Sequence, residues 1–138
     1  NINDLGYTGI EKVMISLTRN DYEPDICFFR KDKAKSFSPD QKLFPAPDFV
    51  VEIISESTEK YARGVKFNDY AAHGIEEYWI VDPEKEVVEQ YKLVDEAYTE
   101  VKKSDDGLLH CIVLEGLNLP VRAIFDKEQN QKFIRELV

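Results

Sequence analysis

The segment Asp48-Phe49-Val50-Val51-Glu52-Ile53-Ile54 constrains this chain more than any other, because its side chains are apolar on both alternating faces. A strand with one face in water alternates apolar and polar residues, whereas a run that is apolar throughout is covered on both sides and lies inside a sheet. The next segments fit that placement. Ser55, Ser57 and Thr58 are helix-capping residues, and Thr58 to His73 reads as a helix of about four turns with Tyr61, Val65 and Ala72 on its buried face and Gly74 as its stop. Glu77-Tyr78-Trp79-Ile80-Val81 is again a strand. A parallel pair formed across that helix is expected to be right-handed.

The flanking segments add strands. Ile10 to Leu17 and Pro24 to Phe29 read as a hairpin around the Thr18-Arg19-Asn20-Asp21 turn, and residues 30–47, with prolines at 39, 45 and 47, as an exposed loop. Val87 to Leu93 is a strand after the Asp82-Pro83-Glu84-Lys85 turn. Tyr98 to Lys102 and Leu108 to Val113 flank the Asp105-Asp106-Gly107 turn as an antiparallel meander, and Asp126 caps a short helix holding Phe133, Ile134 and Leu137. The predicted fold class is α/β (α+β): a mixed β-sheet core with flanking helices and an extra antiparallel β meander.

Composition narrows the function. The 138 residues suit one domain, and 12% aromatic content excludes a disordered chain. No run approaches the ~20 apolar residues of a membrane span, and Asn1-Ile2-Asn3-Asp4 lacks the basic and apolar regions of an export signal, so a soluble, cytoplasmic protein is expected. Cys27 and Cys111 show no metal-binding spacing and read as buried thiols. With 27 acidic and 18 basic residues, the net charge of −9 opposes nonspecific nucleic-acid binding unless cations are concentrated locally. Such concentrations are Arg30-Lys31-Asp32-Lys33-Ala34-Lys35, and Lys60, Arg63 and Lys66; a solvated surface is the competing reading of both.

The acids carry the chemistry. Glu52 is the single charge between Phe49 and Ile54, and an unpaired carboxylate there would cost several kcal/mol, so it needs a partner. Asp25 opens the apolar run Ile26-Cys27-Phe28-Phe29; in-register pairing of its strand with that of Glu52 would put the two Cβ atoms about 5 Å apart, a separation suited to a divalent cation. Asp48 lies about 13 Å from Glu52 along the strand and is peripheral. Lys66 is about 12 Å along the following helix and Glu52 about 10 Å back along the strand, so they share a level, ahead of Lys60 and Arg63. The helical wheel puts Lys66 on the flank of the buried face, and periodicity alone favours a surface lysine.

The segments Pro24-Asp25-Ile26, Pro47 to Ser55, Lys66 with Tyr70-Ala71-Ala72-His73-Gly74, Glu77 to Pro83, and Leu117-Asn118-Leu119-Pro120 with Phe125-Asp126 together resemble the Uma-type restriction endonucleases of the PD-(D/E)XK nuclease superfamily. The resemblance implies a restriction-endonuclease-like core in which Asp25 and Glu52 hold Mg²⁺ (or Mn²⁺). The superfamily's lysine two residues after the second acid is replaced by Ile54, and the resemblance implies that Lys66 stands in for it. The superfamily's first core helix has no counterpart before Gly6, so residues 1–138 are read as a single domain lacking that helix.

The function this implies is an endonuclease that hydrolyses DNA, with catalytic Asp25, Glu52 and Lys66 and with Arg30, Lys31, Lys33, Lys35 and Arg63 as candidate backbone contacts. The alternative is an inactive nuclease fold kept as a binding or dimerising module, since fold does not guarantee chemistry. Exposed strands in the second half leave room for a homodimer. His73 reads as a helix C-terminal residue, His110 as a strand residue, Ser55 and Ser57 as caps, and Trp79 as core.

Overall fold

In the computed structural model, which describes residues 5–11, 13–18 and 20–137, a six-stranded mixed sheet forms the centre. Its members are β1 (Gly6–Ile10), β4 (Ile26–Arg30), β6 (Phe49–Ile53), β7 (Glu77–Asp82), β8 (Val87–Val94) and β9 (Ala97–Ser104), side by side in that order. Between them run β2 (Met14–Ser16), β3 (Asp21–Tyr22), a one-turn α1 (Lys31–Ala34), β5 (Leu43–Phe44), α2 (Glu59–Arg63) and α3 (Val65–Ala72). The chain then continues into β10 (Leu108–His110), β11 (Asn118–Pro120), α4 (Val121–Phe125) and α5 (Lys127–Leu137). Within the six-stranded sheet pairing is antiparallel except between β6 and β7, which α2 and α3 connect. Among the described residues no helix is long and apolar enough to cross a membrane.

β6 is covered on both faces, as its apolar run requires. On one side Val50, Tyr78 and Ile80 pack with Cys27, Phe29, Ala62 and Tyr70; on the other Val51, Trp79 and Val81 pack with Leu109, Val113 and Val121. Both cysteines are buried free thiols, and burial pushes each up to about 12.

Several local expectations are corrected. The hairpin partner of β4 is β1, not Ile10 to Leu17; β2 instead joins β3 and β5 in a separate three-stranded sheet. The 30–47 segment is not all loop, since it contains α1 and β5, while its prolines stay outside both. β10 pairs with β11 rather than with β9, whose partner is β8, so the meander stops at β9.

The long helix is two helices, broken at Gly64, whose φ of −111° and ψ of −99° leave the helical region and where a Cβ would lie 2.8 Å from the Lys60 carbonyl oxygen. The break changes which side chains face the sheet. Tyr61, Val65 and Ala72 are exposed, and the buried row is Ala62 and Tyr70, with Lys66 midway between them at four-residue spacing. A wheel centred on Tyr61 and Val65 puts Lys66 on a flank; centred on Ala62 and Tyr70 it puts Lys66 on the buried face. Asp126 does cap α5, accepting from the Gln129 N–H at 3.0 Å. The expectation of a missing first helix concerns the chain before Gly6, where residues 1–4 lie outside the described residues.

Candidate active site

The register of β4 against β6 pairs Ile26 with Val51, and one further step sets Asp25 opposite Glu52. Asp25 has just left the strand, so its carboxylate is free to fold across: Oδ2 accepts the Ile53 N–H at 2.6 Å. Glu52 points to the helix side, 4% exposed. Its Oε2 accepts the Tyr70 hydroxyl at 2.7 Å and lies 3.3 Å from Lys66 Nζ. Its Oε1 has no partner among the described residues. No buried side-chain N or O there lacks one, so this oxygen opens on the adjoining space. That space is a cavity of about 110 Å³ lined by Glu23, Asp25, Glu52, Thr58 and Lys66.

Electrostatics sets Glu52 apart. Burial raises its carboxyl above the ordinary range, opposed by the Lys66 ammonium and the Tyr70 hydrogen bond and reinforced by the charge of Asp25. Burial likewise pushes the Tyr70 phenol far up, reinforced by the charge of Glu52. The donor set is two carboxylates: among the described residues no three His, Cys, Asp or Glu side chains cluster closely enough to form a metal site by themselves.

The remaining predicted residues sort themselves by partner. Asp48 sits at the other end of β6, where its carboxylate accepts the Arg30 N–H at 2.6 Å and Lys33 Nζ lies 3.0 Å away. Arg30 also pairs with Glu76, and Lys33 donates to the Ala46 carbonyl at 2.9 Å. Lys31 and Lys35 are exposed. These four residues lie at or beyond the far end of β4, about 17 Å along the strand from Asp25. Arg63 makes a two-pronged contact with Glu89, at 2.8 and 2.6 Å, and also binds Glu59 at 2.7 Å. Four of the five candidate backbone contacts thus make ion pairs within the chain, Lys35 only an exposed one with Asp32 at 3.9 Å.

His73 ends α3 and accepts the Thr18 N–H through Nε2 at 3.1 Å; His110 Nδ1 meets Asn118 Oδ1 at 2.5 Å. Ser55 shares hydroxyl contacts with Ser57 and Thr58, and Trp79 is core.

Sequence reasoning passed over three residues. Tyr70 was detectable, lying one helical turn past Lys66 on the same face. Glu89 pairs with Lys103 across the sheet and faces Arg63, a match hidden by the distance between them in the chain. Glu77 opens a strand, a place where a charge ordinarily reaches water, and yet it is fully buried.

Comparison with known proteins agrees with this architecture. The family model described as "Uma2: Putative restriction endonuclease" matches residues 1–122. The fold is similar to the crystal structure of a "putative nuclease" from Anabaena variabilis, with a TM-score of 0.74 and 20% identity over 90% of this chain and 73% of that one. No curated protein matches the chain.

Proposed function

The chain belongs to the Uma2 family of restriction-endonuclease-like proteins, and from that premise we propose that residues 1–138 form one divalent-metal-dependent nuclease domain that hydrolyses DNA phosphodiester bonds. The observation that carries the reading is the asymmetry of Glu52: one oxygen is held by Tyr70 and Lys66, while the other opens on a cavity shared with Asp25.

Two carboxylates beside open space suit Mg²⁺ or Mn²⁺, hard cations that take one or two protein carboxylates and fill their other positions with water and substrate phosphate. Asp25 and Glu52 would hold the ion. When bound, it supplies charge neutralisation at the phosphate and acidifies a coordinated water. Asp25, fixed by the Ile53 N–H, and Glu52, fixed by Tyr70, face the cavity in set orientations before substrate arrives. Lys66, a quarter exposed at the cavity rim, orients the attacking water and places its ammonium against the charge that develops on the phosphate. Ile54 occupies the position of the superfamily lysine, and Lys66 reaches the same carboxylate from α3 instead.

The test is a Mg²⁺ or Mn²⁺ titration of wild type, Asp25→Ala and Glu52→Ala by calorimetry, with cleavage of plasmid and single-stranded DNA followed in parallel. Saturable binding lost in both variants, together with cleavage, is the expected result. Metal binding without cleavage of either DNA would point to another substrate. No binding by the wild type would leave a nuclease fold used as a binding module.

A further inference from the structure

Tyr70 makes the shortest contact to Glu52, yet the proposed chemistry gives it no part in bond making. Its ring is fully buried and wedged edge-on between Tyr22 and Tyr78, with centroids 5.5 and 5.3 Å away. Those neighbours leave the phenol one direction, and in that direction it meets Oε2 at 2.7 Å. The Tyr78 hydroxyl does not compete, because it donates to the Ala62 carbonyl at 2.8 Å. Lys66 approaches the same oxygen differently: 3.3 Å away, on a flexible chain whose end reaches the cavity. One partner is enclosed and close; the other is partly exposed and more distant.

From this difference we infer that Tyr70 is a positioning residue: its hydroxyl fixes the Glu52 carboxylate so that Oε1 faces the cavity, and it keeps Oε2 partnered when Lys66 swings to a substrate phosphate. The inference rests on the nuclease reading, since it assigns Oε1 to a metal ion. A carboxylate held by the lysine alone would lose its orientation whenever the lysine moved. Partners that orient a ligand without touching the metal are worth about 10–100-fold in metal affinity.

The experiment titrates Mn²⁺ alone into wild type, Tyr70→Phe, Tyr78→Phe, Lys66→Met and Glu52→Ala by calorimetry, with urea unfolding of each metal-free protein alongside. Tyr70→Phe keeps the ring and removes the hydroxyl. Tyr78→Phe removes an equally buried hydroxyl of the same cluster that does not touch Glu52, and so reports what general loosening does. The expected result is a loss of Mn²⁺ affinity of about 10-fold or more in Tyr70→Phe, little change in Tyr78→Phe, and unchanged or tighter binding in Lys66→Met, which loses a repelling cation.

Equal losses in Tyr70→Phe and Tyr78→Phe, or a loss in Lys66→Met as large as that in Tyr70→Phe, would overturn the positioning role. Unchanged affinity in Tyr70→Phe beside abolished binding in Glu52→Ala would overturn it as well while leaving the metal site standing. Absence of Mn²⁺ binding by the wild type would overturn the site and the inference together.

Discussion

Glu52 and Glu77 stand on adjacent parallel strands, both buried, and face opposite sides of the sheet. Around Glu77 every acceptor position is used. Oε2 takes the Trp79 indole N–H at 2.7 Å and the Gln90 amide at 2.8 Å; Oε1 takes the Ile112 and Val113 N–H groups at 3.0 and 2.9 Å and the Cys111 thiol at 3.3 Å. A carboxylate has about four lone-pair sites, so nothing remains for a ligand. Glu77 is a clamp that ties the irregular 111–113 segment to the sheet by neutral donors. Glu52 has a phenol and an ammonium on one oxygen and open space at the other. Burial alone therefore does not distinguish the two carboxylates; the difference is acceptor capacity left unused beside a cavity.

Four experiments break or sharpen this contrast. The largest effect is expected for Glu52→Gln: DNA cleavage falls by about 10³-fold, equivalent to ~4 kcal/mol of transition-state stabilisation, while the urea midpoint stays level or rises because a costly buried charge is gone. A midpoint that collapsed would make Glu52 a structural residue like Glu77. Glu77→Ala should do the reverse, costing about 3–5 kcal/mol in urea unfolding by leaving several buried donors unpaired. The 111–113 amides should lose hydrogen-exchange protection first.

Glu89 supplies an intermediate case, a buried carboxylate with a dedicated cation. Its hydrogen bonds from Arg63 hold the carboxyl below the usual 4.5, against the opposing effect of burial. The pair therefore stabilises the fold above pH 4.5 and loses that contribution as pH falls below it through the depressed folded value. Glu89→Gln is expected to cost about 1–2 kcal/mol at pH 7, with Arg63 one third exposed and screened accordingly. Urea unfolding of both proteins at pH 3 should find the gap narrowed; a constant gap would refute the assignment. The smallest effect belongs to Asp126→Ala, which removes the α5 cap at about 1 kcal/mol and should leave Mn²⁺ affinity unchanged.

The centre of the fold was legible because its signals are local and strong: an apolar run in β6, a helix after it, an apolar run in β7. The meeting of Glu52 and Lys66 in the candidate site was legible for the same reason. A lone acid in an apolar strand demands a partner, and comparing helix rise with strand rise brought Lys66 level with Glu52, 3.3 Å from it in the structure. What escaped depends on contacts that no short window contains. β3 and β5 are two-residue strands, too brief to show periodicity, and β10 pairs past its neighbouring hairpin to β11. The Gly64 break escaped because one glycine in a helical pattern is usually tolerated, and missing it misplaced the buried face of α2 and α3. The five donors of Glu77 come from three separate stretches of chain, none of which signals a buried acid by itself.

The parallel pairing of β6 with β7 has a consequence for how the protein comes apart. The chain that joins these strands is the one that carries Lys66 and Tyr70 over Glu52, so docking that crossover and zipping the sheet centre are a single event. Contacts of this kind bridge distant parts of the chain and form late, at the cost of loop-closure entropy. The amides of Val50, Glu52 and Ile80 should consequently exchange with solvent only through global unfolding, with one common opening free energy. No partly opened species would then keep its central strands while exposing the carboxylates, which leaves the proposed site as durable as the fold itself.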